Sequence, residues 1–224
     1  GFLIRESPWR ERVRVEPKTD FREFPLSELE VIVWISVAVI FCCNCMAVPI
    51  VHLVPMLTDQ GNTLEYAARA LLILMMVGAL GRIMGGKLAD TIGALPAYML
   101  MSVGQTVSVM WFPHVEGPTA LYLLAIFFGF TYSGVMSSLL ICTRMMVSAR
   151  FAGRAMSITA FFGWGGMGMG GFVGGYFYDV TGTYEWSFGF ASAAGVVNLF
   201  VLTLFYFRIR YRMKAVHARL GVSL

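Results

Sequence analysis

Few ionisable side chains stand inside the long apolar runs of this 224-residue chain, and two of them, Arg82 and His52, are where binding or proton chemistry could occur. Arg82 lies in the apolar run 67–88, eight residues before Asp90. If that run is helical, Arg82 sits ~12 Å deeper than Asp90. A guanidinium there can pair a substrate carboxylate through two parallel N–H···O bonds. The alternative is an arginine that snorkels to the membrane surface or satisfies neighbouring carbonyls. His52 stands near the end of the run 31–56, beside Pro49. With an unperturbed pKa of ~6.5 it can take part in proton coupling. Its alternative role is a satisfied interfacial histidine. Polar and aromatic side chains at Asn44, Tyr132, Ser133, Ser137, Ser138 and Trp164 could line a pocket around a substrate. Mid-membrane Ser and Tyr also serve as hydrogen-bonding glue between helices.

Other chemistries have little to stand on. Cys42 and Cys45 have C-x-x-C spacing, but they lie mid-run beside no His or carboxylate that would complete a metal site. Small, soft core residues are the reading they invite. Paired carboxylates, His-Glu-x-x-His, Gly-x-Ser-x-Gly and a phosphate-cradling loop are all missing from the sequence. The chain is therefore expected to be neither an enzyme nor a binder of metal or cofactor.

The elements that must hold these residues follow from composition. The chain is 58% hydrophobic and 13% charged, with a mean hydropathy of +0.71. Soluble domains run nearer ~25% charged. Crossing a bilayer core takes ~20 apolar residues. Six windows qualify, at 31–56, 67–88, 95–112, 119–141, 155–178 and 186–207. Backbone amides in lipid must pair within their own segment, so each is predicted to be a helix. Short alternating strands of a membrane barrel are not seen.

Charge placement predicts orientation. Arg5, Arg10, Arg12, Arg14, Lys18 and Arg22 precede the first window, and Arg208, Arg210, Arg212, Lys214 and Arg219 follow the last. Arg82 and Lys87 lie near the connection after the second window, and Arg144, Arg150 and Arg154 belong to that after the fourth. The other three connections carry Asp59, Glu65, Glu116, Asp179 and Glu185, with Arg69 as their one basic residue. The positive-inside rule puts both ends in the cytoplasm of a plasma or bacterial inner membrane. This bias accounts for the net charge of +4, so no nucleic-acid partner is expected.

A nine-residue skeleton occurs twice. Gly85-Gly86-Lys87-Leu88-Ala89-Asp90-Thr91-Ile92-Gly93 and Gly174-Gly175-Tyr176-Phe177-Tyr178-Asp179-Val180-Thr181-Gly182 share Gly-Gly, Asp and a final Gly at equal offsets. Each closes the second apolar run of its half, and an odd number of crossings separates them. They are predicted to lie on opposite membrane faces, as in two inverted three-helix repeats. Eight glycines between Gly163 and Gly175, with Gly166, Gly170 and Gly174 at small-xxx-small spacing, predict close helix packing or a helix that slides or bends. Pro49 and Pro55 are expected to break or kink the first helix. Ser27 and Glu30 have capping-box spacing at its start. Residues 1–30 read as a linker following a preceding helix, with Gly1–Ile4 as that helix's last turn. Residues 208–224 read as a basic tail. Trp111, Tyr184 and Trp186 fall at span boundaries and read as interfacial belt residues.

The stretch Gly86-Lys87-Leu88-Ala89-Asp90-Thr91-Ile92-Gly93 resembles the signature loop of the major facilitator superfamily, G-x-L-a-D-r-x-G-r-k. The ending Tyr178-Asp179-Val180-Thr181-Gly182-Thr183-Tyr184 and the basic tail are similar to that family as well. The resemblance implies helices seven to twelve, the C-terminal half of an alternating-access transporter. Its partners would be the lipid bilayer, the N-terminal half of the same transporter and a small-molecule substrate. Gly86, Asp90, Gly93 and Asp179 take motif or gating roles by resemblance, Asp90 as a helix-terminal or interhelical acceptor. Thr91, Ala94 and Leu95 depart from the motif, which has basic residues there. Within the superfamily, residues 51–61 (Val-His-Leu-Val-Pro-Met-Leu-Thr-Asp-Gln-Gly) resemble the monocarboxylate and oxalate/formate exchanger branch. Arg82 matches that branch's arginine, implied to bind a substrate carboxylate. The oxalate-type lysine has no counterpart, because 155–178 contains no Lys or Arg. A single cationic anchor suits a monocarboxylate, moved by symport or antiport. A lipophilic-drug exporter and a non-transporting membrane remnant or partner are the alternatives.

Overall fold

The computed structural model describes residues 25–220, and the expected linker turn at 1–4 lies outside them. Six α-helices follow one another: α1 (Glu28–Asp59), α2 (Leu64–Ile92), α3 (Ala94–Trp111), α4 (Pro118–Met145), α5 (Ala152–Thr181) and α6 (Glu185–Leu220). A single 3-10 turn, Phe112–His114, follows α3, and there is no strand among the described residues. Residues 208–220, read from sequence as part of a tail, continue α6 as helix.

Local chemistry explains the boundaries. Ser27 and Thr63 cap α1 and α2 by accepting from the amides of Glu30 (3.2 Å) and Tyr66 (3.3 Å). Only half of the predicted capping box forms. The Glu30 carboxylate instead accepts from Arg208 Nε of α6 at 2.9 Å, because a long basic side chain outcompetes one backbone amide for it. Glu28 accepts from the Ser148 amide at 3.0 Å, tying the start of α1 to the α4–α5 turn. Gly93 (φ +95°) and Gly182 (φ +70°) end α2 and α5 in a backbone conformation that side-chain-bearing residues avoid. The expected break in α1 does not occur: helix continues through Pro49 and Pro55 to Asp59.

Four helices, α1, α2, α4 and α6, are each long and apolar enough to cross a membrane. Six such spans are expected from sequence. The shortfall in α3 and α5 has a physical origin. α3 carries Pro96, Gln105 and a Ser102, Thr106, Ser108 series, while α5 spends nine positions on glycine, which adds no apolar side chain. The polar groups of α3 are turned inward. Gln105 donates to the Cys42 carbonyl of α1 at 3.1 Å. Tyr98 donates to Asn198 of α6, and Asn198 to Ser102, both at 3.2 Å. All four of these side chains are buried.

The bundle is built around two tight helix pairs, α2 along α4 and α1 along α5, with α3 against α4 and α6 against α1 completing it. Glycine makes both tight pairs possible. Gly81 faces the backbone of Phe130 and Gly85 that of Gly134, while Gly129 faces the backbone of Leu74. On the other pair, Gly166 faces the Ile40 backbone and Gly170 the Asn44 backbone. The predicted Gly166/Gly170/Gly174 spacing thus marks the buried stripe of α5, and Gly165 and Gly168 face open space. The matching stripe on α2 (Gly78, Gly81, Gly85) is buried too. The two copies of the nine-residue skeleton adopt the same local structure. Gly85 and Gly174 are buried at a crossing, Asp90 and Asp179 are exposed in the last turn, and Gly93 and Gly182 are the positive-φ ends.

An alanine methyl at Gly81 or Gly166 would meet backbone, which cannot rotate away. Gly81→Ala and Gly166→Ala are expected to destabilise the fold by about 1–3 kcal/mol. Gly165→Ala and Gly168→Ala should be neutral or slightly stabilising. Melting curves in detergent compare the two sets, and equal losses would refute the crossing geometry.

Candidate functional site

Arg82 follows Gly81 directly, ~100° further round the helix, so with Gly81 and Gly85 turned toward α4 it stands at the edge of that contact. Its side chain is exposed, within two residues of exposed Leu80, Ile83 and Met84. It has no hydrogen-bond or ion-pair partner among the described residues. A guanidinium on an apolar helix face, with nothing to neutralise it, demands water or an anion.

Tyr132 is the sequence candidate most closely associated with it. Its phenol donates to Met75 Sδ at 3.3 Å, and its ring stacks on Phe128 at 5.5 Å between centroids. Met75 precedes Arg82 by seven residues, so both lie on one face of α2, ~10 Å apart along the axis. Ser133 is buried against Gly78, and Ser138 donates to the Gly85 carbonyl at 3.3 Å. These serines stitch α4 to α2. Asn44 and Trp164 belong to the other helix pair. Asn44 is buried where α1 crosses α5, and its Oδ1 has no partner. Trp164 is 73% exposed, on the side of α5 opposite the glycine stripe and near Phe161. The structure thus groups Arg82, Tyr132 and Ser133 on α2–α4 and leaves Asn44 and Trp164 on α1–α5.

His52 is held by α5. Its Nε2 lies 2.9 Å from the Gly171 carbonyl, and the ring occupies the space that a side chain at Gly174 would fill. A carbonyl only accepts, so Nε2 carries the proton of this bond and Nδ1 is the remaining site. Two turns further, Asp59 Oδ2 accepts from the phenols of Tyr178 (2.8 Å) and Tyr184 (3.3 Å). The two rings stack at 4.3 Å, and Tyr184 also lies 6.1 Å from the His52 ring. Ser187 donates to the Gly174 carbonyl at 2.6 Å. Together they clasp the end of α1 to the α5–α6 turn. Partial burial, followed by the Asp59 carboxylate, pushes the Tyr184 phenol up to about 12. Tyr184 therefore does more than sit in an aromatic belt. Sequence reasoning missed Asp59 as its acceptor because the pair is separated by 125 residues.

Among the motif residues, Gly86 is half-buried near Ile141 and Gly93 forms the turn into α3. Asp90 is exposed and makes no hydrogen bond or ion pair among the described residues, so the interhelical acceptor role expected of it is not seen. The positions that would supply basic partners in its own loop are Thr91, Ala94 and Leu95. Asp179 is exposed beside the tyrosine pair.

The sequence model of the Major Facilitator Superfamily matches residues 33–220, spanning nearly all of the described helices. The chain belongs to that superfamily. It is also similar to monocarboxylate transporter 13 of Rattus norvegicus, at 31% identity over 150 residues. That alignment takes in 65% of this chain and 35% of the relative, so the chain spans about a third of the relative's length. Membership sets the chain among the integral, multi-pass membrane proteins of that superfamily. For a superfamily member, exposed Leu80, Ile83 and Met84 are ordinary, since they meet lipid or another helix. Arg82 among them is the exception.

The clasp predicts an alkaline signature. The folded Tyr184 pKa lies above the unfolded value of ~10, so its contribution to stability is complete below about pH 10. It is lost as pH rises toward about 12. Melting temperatures measured from pH 9 to pH 11.5 should fall less steeply in Tyr184→Phe than in the wild type. Parallel slopes would show that the clasp does not hold.

Proposed function

We propose that this chain is the C-terminal six-helix half of a secondary transporter that moves a small organic anion, of monocarboxylate type, by alternating access. The observation that carries the reading is Arg82. It is the cation nearest the middle of α2, exposed, without a partner among the described residues, and on the same face as Met75, which the Tyr132 hydroxyl contacts. A carboxylate substrate would neutralise it, with the phenol as a second contact. The similarity to a monocarboxylate transporter supports the cargo class.

Two inverted three-helix repeats fit the packing. Pairing α1 with α4, α2 with α5 and α3 with α6 turns the α2–α4 contact into α5–α1, and α3–α4 into α6–α1. The duplicated Gly-Gly/Asp/Gly skeleton falls on the paired helices α2 and α5. Substrate would lie near mid-membrane between this bundle and an N-terminal half, both ends of the chain being cytoplasmic by charge bias. The domain scheme of linker, six-helix bundle and basic tail belongs to the same reading. His52, with Nδ1 free to take a proton, is the candidate for proton coupling. Asn44, Ser133 and Trp164 are further candidate substrate contacts, and Gly86, Asp90, Gly93 and Asp179 keep the motif or gating roles that the resemblance implies. The exposed aromatic residues of α5 (Phe161, Trp164, Phe172) favour a lipophilic-drug exporter as the second reading.

Counterflow of lactate or pyruvate in liposomes containing the full-length transporter tests the assignment. Arg82→Ala should lower uptake by roughly 10- to 100-fold, the loss of a charged hydrogen-bond pair. Arg82→Lys should retain part of it. Unchanged uptake in Arg82→Ala would remove the carboxylate reading and leave the exporter.

A further inference from the structure

One cavity stands apart from this site, at the end of the bundle where α2 turns into α3. It has a volume of about 500 Å³. Leu95 and Pro96 of α3 form one wall, Met146 beyond α4 closes a side, and Ile209 and Met213 of α6 form the opposite wall. The lining is thus almost wholly apolar. Among the described residues its two charges, Arg210 and Lys214, are both cationic and exposed, and no carboxylate lines it.

The cations are placed by helix periodicity. Tyr206, Arg210 and Lys214 recur every four residues and make one ridge of α6. The Arg210 guanidinium stacks over the Tyr206 ring at 5.1 Å from its centroid, which leaves its N–H edges available to an anion. Depth along α6 gives a second constraint. Tyr206 comes 21 residues after Glu185, ~32 Å along the axis, about the thickness of a hydrocarbon core. Arg210 and Lys214 lie ~6 and ~12 Å further, at headgroup depth.

We propose that this cavity binds an anionic glycerophospholipid from the leaflet at that end of the bundle. Its acyl portion would lie among Leu95, Met146, Ile209 and Met213, and its headgroup phosphate would be held between Arg210 and Lys214. A free anion has no use for the apolar lining. A zwitterionic lipid brings an ammonium group to a rim that already carries two positive charges. The inference rests on the chain's membership in a membrane family and is independent of what Arg82 binds.

Native mass spectrometry of the full chain in mild detergent, titrated with phosphatidylglycerol, phosphatidylcholine or inorganic phosphate, tests this. Phosphatidylglycerol should bind with defined stoichiometry. The R210Q/K214Q double variant should weaken it roughly 10- to 30-fold, as expected for two interfacial cations. R212Q lies on the opposite side of α6 and should leave binding unchanged. Met146→Trp fills the cavity without altering charge and should also weaken binding, provided its circular dichroism and melting match the wild type. The proposal is overturned if phosphatidylcholine binds equally well, or if R212Q weakens binding as much as the double variant. It is also overturned if inorganic phosphate competes at similar concentration, or if a folded Met146→Trp protein keeps full affinity.

Discussion

Backbone pressed directly against backbone at two helix crossings is the constraint on which this bundle depends. In lipid, burying a leucine between helices gains little, because the surrounding chains are as apolar as the side chain. What remains is close packing and polar pairing. Gly81 and Gly85 let α2 meet Phe130 and Gly134 of α4 without an intervening side chain, and Gly166 and Gly170 do the same for α5 on Ile40 and Asn44. Each crossing brings carbonyls and Cα atoms into mutual reach, which side-chain packing alone would prevent.

From those two pairs the rest of the arrangement follows. α3 and α6 are left to fill the space beside them, and they do so with polar groups that find each other. Tyr98, Ser102 and Asn198 form one buried chain of hydrogen bonds, and Gln105 reaches the backbone of α1. The flank of α2 beside its glycines and the face of α5 opposite its own remain open, and there Arg82 and Trp164 stand. The clasp of Asp59 with Tyr178 and Tyr184 adds a tie at one end, while Glu30 with Arg208 and Glu28 with Ser148 add ties at the other.

Much of this was legible in the chain itself. The glycine stripe of α5 could be read from its spacing and the start of α1 from Ser27, because each is a local rule with a period or a cap. The stripe on α2 was harder to see, since Gly78, Gly81 and Gly85 mix spacings of three and four among Met, Leu and Ile. The polar character of α3 was visible as Gln105 and the Ser/Thr series, yet the window average concealed it. That averaging is why the sequence predicts six apolar spans where four helices meet the requirement on their own. Glu30 shows a local rule yielding: the spacing fitted a capping box, and a distant arginine took the carboxylate instead.

The sequence by itself determined that the chain is helical, that its apolar runs belong in a membrane, and which few charged side chains must be exceptional there. Those properties follow from transfer free energies and helix periodicity, which act over a few turns of one chain. Only the tertiary structure decided that Arg82 and Tyr132 share a face, that Asn44 is sealed beneath Gly170, and that Asp59 is the acceptor for two tyrosines far along the chain. Such pairings depend on which helix crosses which and at what height. That is set by the fit of small residues from distant segments, and no single segment encodes it.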